Sequence, residues 1–242
     1  MLRYILSAGQ RAAIKSKFHS LLMRHPPLET RCVQRAIKMD LHTVIDVGAN
    51  HGQFASRVRA LGWRGKILSF EPLLEPFESL HRLTTKDPSH EAFQFGLGEE
   101  NTEPVMNVAS NHGASSSLLE FEPLLKDSFS ITSISQEKVS IRRLDDVAKE
   151  LDLVPEKCLL KIDTQGFEKQ VLEGSGEILD QIQMLFLEVS LRPVYKDEPR
   201  LFEMLSFLDS RGFEVRDLEP SVFDSPFRPY QCDILCLRKG VD

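Results

Sequence analysis

The chain has 242 residues, of which 41% are hydrophobic and 27% charged; it can bury a full core without disulfide staples and is too apolar to be a disordered tail. Lys and Arg number 30 against 36 Asp and Glu, a net charge of −6, which argues against a broadly basic nucleic-acid binder, so nucleic acid is not expected as a partner. No uncharged apolar run approaches the ~20 residues that span a bilayer. Met1–Gly9 is too weakly apolar for a signal peptide, and four scattered cysteines fit a reducing, cytoplasmic setting.

The first forty residues carry eight Lys/Arg against Glu29 and Asp40, so a basic arm precedes an acidic body. Within 2–23, Ile14, Phe18, Leu21 and Leu22 share one helical face, and Pro26-Pro27 ends that helix. Such a basic amphipathic helix suits weak contact with an anionic membrane surface, or packing on the domain or on a second copy of the chain, which leaves a homo-oligomer open. Thr30–Met39 reads as a second helix. The boundary is placed here, with 1–40 as a basic helical extension and 41–242 as the main domain.

From Thr43 strands and helices alternate. Thr43–Val47 is a short apolar run ending at Gly48, and Phe54, Val58 and Leu61 mark a helix face closed by Gly62. Lys66–Phe70 is the next strand, Leu73, Leu74, Phe77, Leu80 and Leu83 the next helix, and Glu91–Phe95 the third strand. Lys157–Ile162 and Met184–Val189 are two more strands with a helix at Phe167–Leu172 between them; Leu201–Arg211 is helical and stops at Gly212. Phe213–Val215 and Asp233–Leu237 close the chain as a strand pair, with Cys232 and Cys236 on one core face. Repeated β-α units predict an α/β fold, an open, mostly parallel sheet with helices on both faces and a ligand beyond the carboxyl ends of its strands. The stretch Gly96–Leu144, rich in Ser, Asn and Glu, reads as an irregular insertion with short β-like pieces at Val105–Val108 and Lys138–Ile141.

Four strand tips carry the chemistry. In Thr43-Val-Ile-Asp46-Val-Gly48-Ala-Asn50-His51-Gly52-Gln-Phe54 a strand runs through a tight turn into a helix whose first N–H groups suit an anion. Asn50 and Gln53 stand where a dinucleotide fingerprint needs glycines, and no Gly-Lys-Ser/Thr follows. Phe70-Glu71-Pro72 puts a carboxylate ~20 residues on, the distance at which a neighbouring strand tip meets ribose hydroxyls. Asp163 ends Leu159–Ile162, and Glu188 sits near the end of Leu185–Val189.

These segments, with Leu144-Asp-Asp146, Lys161-Ile-Asp-Thr-Gln-Gly166, Val171-Leu-Glu-Gly174 and Gly212-Phe213, resemble the FkbM family of S-adenosylmethionine-dependent methyltransferases from about Thr43 to Leu237. The resemblance implies a Rossmann-like class I methyltransferase fold, a seven-stranded mostly parallel sheet with an antiparallel last pair. It implies S-adenosylmethionine as cofactor, bound by 41–242, and O-methyl transfer to a hydroxyl of a sugar, glycan or natural product. The cofactor set would be Asp46, Gly48, Asn50, His51, Gly52, Glu71, Pro72, Leu97 and Asp163. Many members have Glu where this chain has Gln165.

A poorly nucleophilic hydroxyl needs a base within hydrogen-bond reach. Asp163 is the first candidate, either as base or as an acid that orders the cofactor, and Glu188 the second; His51 and His112 are outsiders. The two carboxylates could share a divalent cation, but two acids are too few to claim one and no metal is expected. Asn111–Leu118 could fold over the ligands as a lid. The rival readings are a non-catalytic nucleoside-binding module and, behind it, a nicotinamide oxidoreductase.

Overall fold

The computed structural model describes residues 26–110, 115–120, 122, 132–225 and 228–241. The basic helix expected at 2–23 and His112 lie outside them. Helix α1 (Leu28–Lys38) leads into β1 (Thr43–Val47), α2 (Gln53–Ala60), β2 (Lys66–Phe70), α3 (Leu74–Thr84) and β3 (His90–Phe93). Short strands β4 (Gly96–Leu97), β5 (Val105–Ala109), β6 (Ile134–Lys138) and β7 (Ile141–Arg142) follow, then α4 (Leu144–Glu150). The chain closes with β8 (Cys158–Ile162), α5 (Glu168–Glu173), α6 (Gly176–Leu179), β9 (Met184–Ser190), α7 (Leu201–Ser210), β10 (Phe213–Ser225) and β11 (Arg228–Arg238).

The main sheet has seven strands in the order β10-β11-β9-β8-β1-β2-β3. Its pairs β9-β8, β8-β1, β1-β2 and β2-β3 are parallel, and β11 runs antiparallel to both β9 and β10. This is the expected open α/β sheet with an antiparallel last pair. The order reverses at β1, with β2 on one side and β8 on the other, so the tips of these strands flank the crevice where such sheets bind ligands.

Both sheet faces are covered, which explains why the strands read as nearly continuous apolar runs. Alternate residues supply two separate cores. Ile45, Val47, Leu160, Ile162 and Leu187 pack beneath α4 to α7, where Cys232 and Cys236 also lie; Val44, Leu159 and Phe186 pack beneath α1 and α2. Helix α1 buries Leu28, Cys32, Val33 and Ala36 in this second core, and Arg31 pairs with Asp217 of β10 at 2.6 Å. The boundary drawn after residue 40 therefore cuts through packed structure: from Leu28 onward the chain belongs to the domain, because the buried face of α1 packs into this core.

The β-like piece expected at Val105–Val108 is β5, and the one expected at Lys138–Ile141 spans the end of β6 and the start of β7: β4 pairs with β7 in parallel and β5 with β6 antiparallel, and Val139, Ile141 and Leu73 form a small core under them. One other reading is corrected. The closing strands are much longer than expected, because a β10–β11 ribbon continues through register shifts beyond Val215, where mixed polar residues hide the period of two.

Candidate functional site

Between β1 and α2 the backbone bends through Gly48 (φ 72°), Asn50 (φ 47°) and Gly52 (φ 84°). The two glycines answer different needs. A Cβ on Gly48 would lie 1.9 Å from the carbonyl oxygen of Asp163, whereas one on Gly52 would meet Leu83 of α3 at 2.5 Å. Gly48 thus lets the β1 and β8 tips close up; Gly52 serves helix packing and lines neither cavity described below. The amides of the loop itself, ahead of the helix, are taken within the protein. Gly48 and Ala49 N–H donate to the Phe70 carbonyl, Gly52 N–H to that of Ala49, Asn50 N–H to Glu71 and His51 N–H to the Asn50 side chain. His51 itself stands away from both cavities, its ring 3.9 Å from Glu75.

Beneath this loop lies a buried ion pair. Asp46 faces Lys161 across the β1–β8 register, with Lys161 Nζ 3.0 Å from Asp46 Oδ1. The ammonium also donates to the carbonyls of Val47 (3.2 Å) and Gly48 (3.0 Å). Burial works to lower the Lys161 pKa, but Asp46 and then Asp163 outweigh it and hold the value up. Asp46 is fully buried and reaches neither cavity, so it supports the loop from below through Lys161.

Two cavities open at the strand tips and share Gly48, Asn50 and Asp163. The first, about 90 Å³, is mainly apolar, with Pro72, Leu97, Leu118, Ile141 and Phe167 around Glu71. Glu71 Oε2 accepts from Asn50 N–H at 2.8 Å and Oε1 from Leu73 N–H at 2.9 Å. Each oxygen keeps a lone pair for a ligand donor. Burial pushes the Glu71 carboxyl up to about 7, against the pull of these two amides. The 96–144 stretch contributes one wall: Ser115, Ser116 and Ser117 are buried, and Ser117 Oγ donates to the Gln165 carbonyl at 2.7 Å.

The second cavity, about 310 Å³, is polar and lies on the α1–α2 side of the sheet, with Glu29, Arg57, Lys161, Glu188 and Asp233 in its wall. Arg57 is neutralised by Glu29 at 2.7 Å. Asp163 and Glu188 are brought together here, as expected of neighbouring parallel strands. Gln165 joins them, its Nε2 donating to Asp163 Oδ1 at 2.9 Å and Glu188 Oε2 at 3.1 Å. Gln231 Nε2 also donates to Glu188 Oε2, at 2.9 Å. Burial first, then Asp163 and Asp233, drive the Glu188 pKa well above the ordinary carboxylate range. Asp233 stands directly opposite Glu188 in the β11–β9 register, and burial followed by the Asp163 charge lifts it to about 7.

Of the residues singled out from sequence, Gly48, Asn50, Glu71, Pro72, Leu97 and Asp163 line the first cavity and Glu188 the second, whereas Asp46, His51 and Gly52 line neither. Lys161, Gln231, Asp233 and Tyr195 escaped the sequence reading. Lys161 left a signal, a lone cation inside an apolar strand, which must find a partner when buried. Gln231 and Asp233 left none, since their place depends on the register of β11.

A family model described as the Methyltransferase FkbM domain matches residues 46–215. Methyltransferase 1 of Beauveria bassiana is 25% identical over 197 residues, spanning 76% of this chain and 77% of that protein. AMB antimetabolite synthetase AmbE of Pseudomonas aeruginosa is 27% identical over 221 residues, or 78% of this chain, which spans only 10% of AmbE. Among solved structures, magnesium protoporphyrin IX methyltransferase of Synechocystis PCC 6803, crystallised with bound SAM, superposes with a TM-score of 0.48 at 8% identity, covering 90% of this chain and 82% of that one. On the match over residues 46–215, the chain belongs to the FkbM methyltransferase-domain family.

Proposed function

We propose that the chain is an S-adenosylmethionine-dependent methyltransferase that methylates a hydroxyl of a small-molecule or glycan acceptor. The observation that supports this best is the position of Asp163, which borders both an apolar cavity containing Glu71 and a polar cavity containing Glu188. The first cavity has the chemistry of a nucleoside site. Two carboxylate oxygens with lone pairs to spare match a ribose diol, and Pro72, Leu97 and Phe167 offer apolar surface to a base.

S-adenosylmethionine, when bound, supplies a methyl group activated by a sulfonium. The residues of this chain do the rest. Glu71 holds the ribose. Glycine at position 48 lets the backbone of the loop close against the β8 tip, which sets the depth of the first cavity. Asp163, 40% exposed, orients the acceptor hydroxyl and takes its proton, a contribution of ~10²–10⁴ in rate. Glu188 is held by Gln165 and Gln231 as the second acceptor of hydrogen bonds. The segment 115–118 and Phe167 keep water from the apolar side.

The test is calorimetry with S-adenosylmethionine, S-adenosylhomocysteine and NADH on the full chain. Binding of the first two and not of NADH supports the reading; binding of NADH alone overturns it. Radiolabelled methyl transfer to a panel of sugars and hydroxylated metabolites then reads the acceptor class, and transfer confined to nitrogen would overturn the hydroxyl assignment.

A further inference from the structure

We infer that Gln165 is a positioning residue, whose side-chain amide holds the carboxylates of Asp163 and Glu188 in one fixed arrangement and links that pair to Tyr195 and the 115–117 segment. The inference rests on the reading that these two carboxylates face the reacting groups.

The geometry is closed on every side of the amide. One nitrogen, Nε2, lies within 3.1 Å of an oxygen from each acid and spends both of its hydrogens on them. The amide oxygen accepts from the Tyr195 hydroxyl at 2.9 Å, a hydroxyl that also lies 3.0 Å from the Ser115 carbonyl. This contact orients the amide, because rotation would turn its oxygen toward two carboxylates. The Gln165 main chain is tied down as well: φ is 56°, and its carbonyl accepts from Ser117 Oγ at 2.7 Å. Tyr195 is itself 1% exposed, so the anchor at the far end is rigid.

Burial and the neighbouring acids, Asp163 first, resist the ionisation of Glu188. Other groups facing the pair add to the repulsion or relieve it. Asp233 approaches from β11 and Glu168 from α5. Lys161, already engaged by Asp46, stands 3.9 Å from Asp163, and Arg57 across the cavity is taken by Glu29. A neutral amide that donates to Glu188 while held against Asp163 favours the ionised form of Glu188 without bringing in a charge that would need its own counter-ion. It also fixes which lone pairs remain free for a ligand.

The experiment reads the buried carboxyl group directly, in the full chain without ligand, by ¹³C-detected NMR titration of Glu188. In Gln165→Met, which keeps the length of the side chain and removes both donors, Glu188 should lose its proton at a pH higher by about one unit or more. Tyr195→Phe leaves the amide in place but frees it to rotate, so it should move the titration in the same direction by less; it serves as the test should Gln165→Met not fold. Gln165→Glu adds a third acid and should move it furthest. A residue with a merely structural role would lower the melting temperature in these variants and leave the Glu188 titration curve where it was. That result in Gln165→Met, or in Tyr195→Phe if only it folds, overturns the inference. A second readout is the preference for S-adenosylmethionine over S-adenosylhomocysteine, which should set in at higher pH in Gln165→Met because a cationic sulfur favours ionised neighbours. Failure of both compounds to bind the unaltered chain would remove the proposed function, whereas the carboxyl titration would still decide the role of Gln165.

Discussion

Lys161 carries more of the site than its place inside a strand suggests. Its ammonium is shared among Asp46 and the carbonyls of Val47 and Gly48, so it ties the glycine loop to β8. Lys161→Met should destabilise the protein by about 3–5 kcal/mol, because Asp46 would be left as an uncompensated buried charge. The double variant with Asp46→Asn should recover part of that loss. Chemical denaturation measures both, and additive losses would show that the pair is not coupled. Glu71 has two duties as well. Glu71→Ala removes charge-assisted bonds to a ribose and should weaken S-adenosylhomocysteine binding by roughly tenfold or more. It also strips the acceptors from Asn50 and Leu73 N–H, so a drop in melting temperature should accompany the lost affinity. Unchanged affinity in a folded Glu71→Ala protein would place the ribose elsewhere. For the chemistry, Asp163→Asn keeps shape and loses basicity, and kcat should fall ~10²–10⁴-fold with little change in cofactor affinity. Glu188→Gln is the comparison, and full turnover in Asp163→Asn with loss in Glu188→Gln would exchange the two roles.

At the scale of elements, the glycine loop and helix α1 decide what can be removed. Gly48→Ala would place a methyl group 1.9 Å from a main-chain oxygen of β8, at a φ that disfavours a side chain. The β1 and β8 tips must then part. Cofactor affinity and stability should fall together, in contrast to Asp163→Asn, which should spare affinity. Truncation separates the arm from the domain. Removing residues 1–25 should leave a folded protein that binds S-adenosylhomocysteine, since α1 starts at Leu28. Removing residues 1–40 uncovers a core that includes Cys32, Val33 and Ala36, each fully buried; that protein should be insoluble or unfolded. Circular dichroism and gel filtration distinguish these outcomes, and a well-folded chain lacking 1–40 would show that α1 is dispensable.

At the scale of the whole molecule, two groups of acids among the described residues oppose each other in pH dependence. Burial raises Glu71, Glu168 and Asp233 to about 7, and Glu188 moves the same way. In the unfolded chain these groups ionise near ~4. Between those limits the folded state holds the extra protons, so their contribution to stability is complete at low pH and is lost as pH rises toward ~7. Asp87 and Asp217 are lowered, each first by a hydrogen bond from arginine, and their contribution is lost as pH falls below ~4. The ligand-free protein should therefore be most stable in mildly acid solution, with a melting temperature at least about 3 °C higher at pH 5 than at pH 8. A melting temperature that rises steadily over that range would contradict the assignment of these buried acids.

The sequence by itself determined the alternation of strands and helices, the turn after β1, and the placing of Glu71, Asp163 and Glu188 near strand ends. Each is encoded locally, in a period of apolar residues, a glycine needed for positive φ, or a carboxylate next to a chain reversal. Its errors have the same origin. That Phe70 and Glu71 take the loop amides shows nowhere nearby in the chain. Residues 28–38 looked like an extension because their buried partners include β10 and β11, near the other end of the chain. What only the tertiary structure decided is which charges meet. Asp46 finds Lys161, and Glu188 faces Asp233, through strand register, and a shift of one residue in either pairing would send the side chains to opposite faces. The role of Gln165 depends on three segments converging, because an amide that looks unremarkable in the chain acquires its function from the two acids and the phenol that surround it.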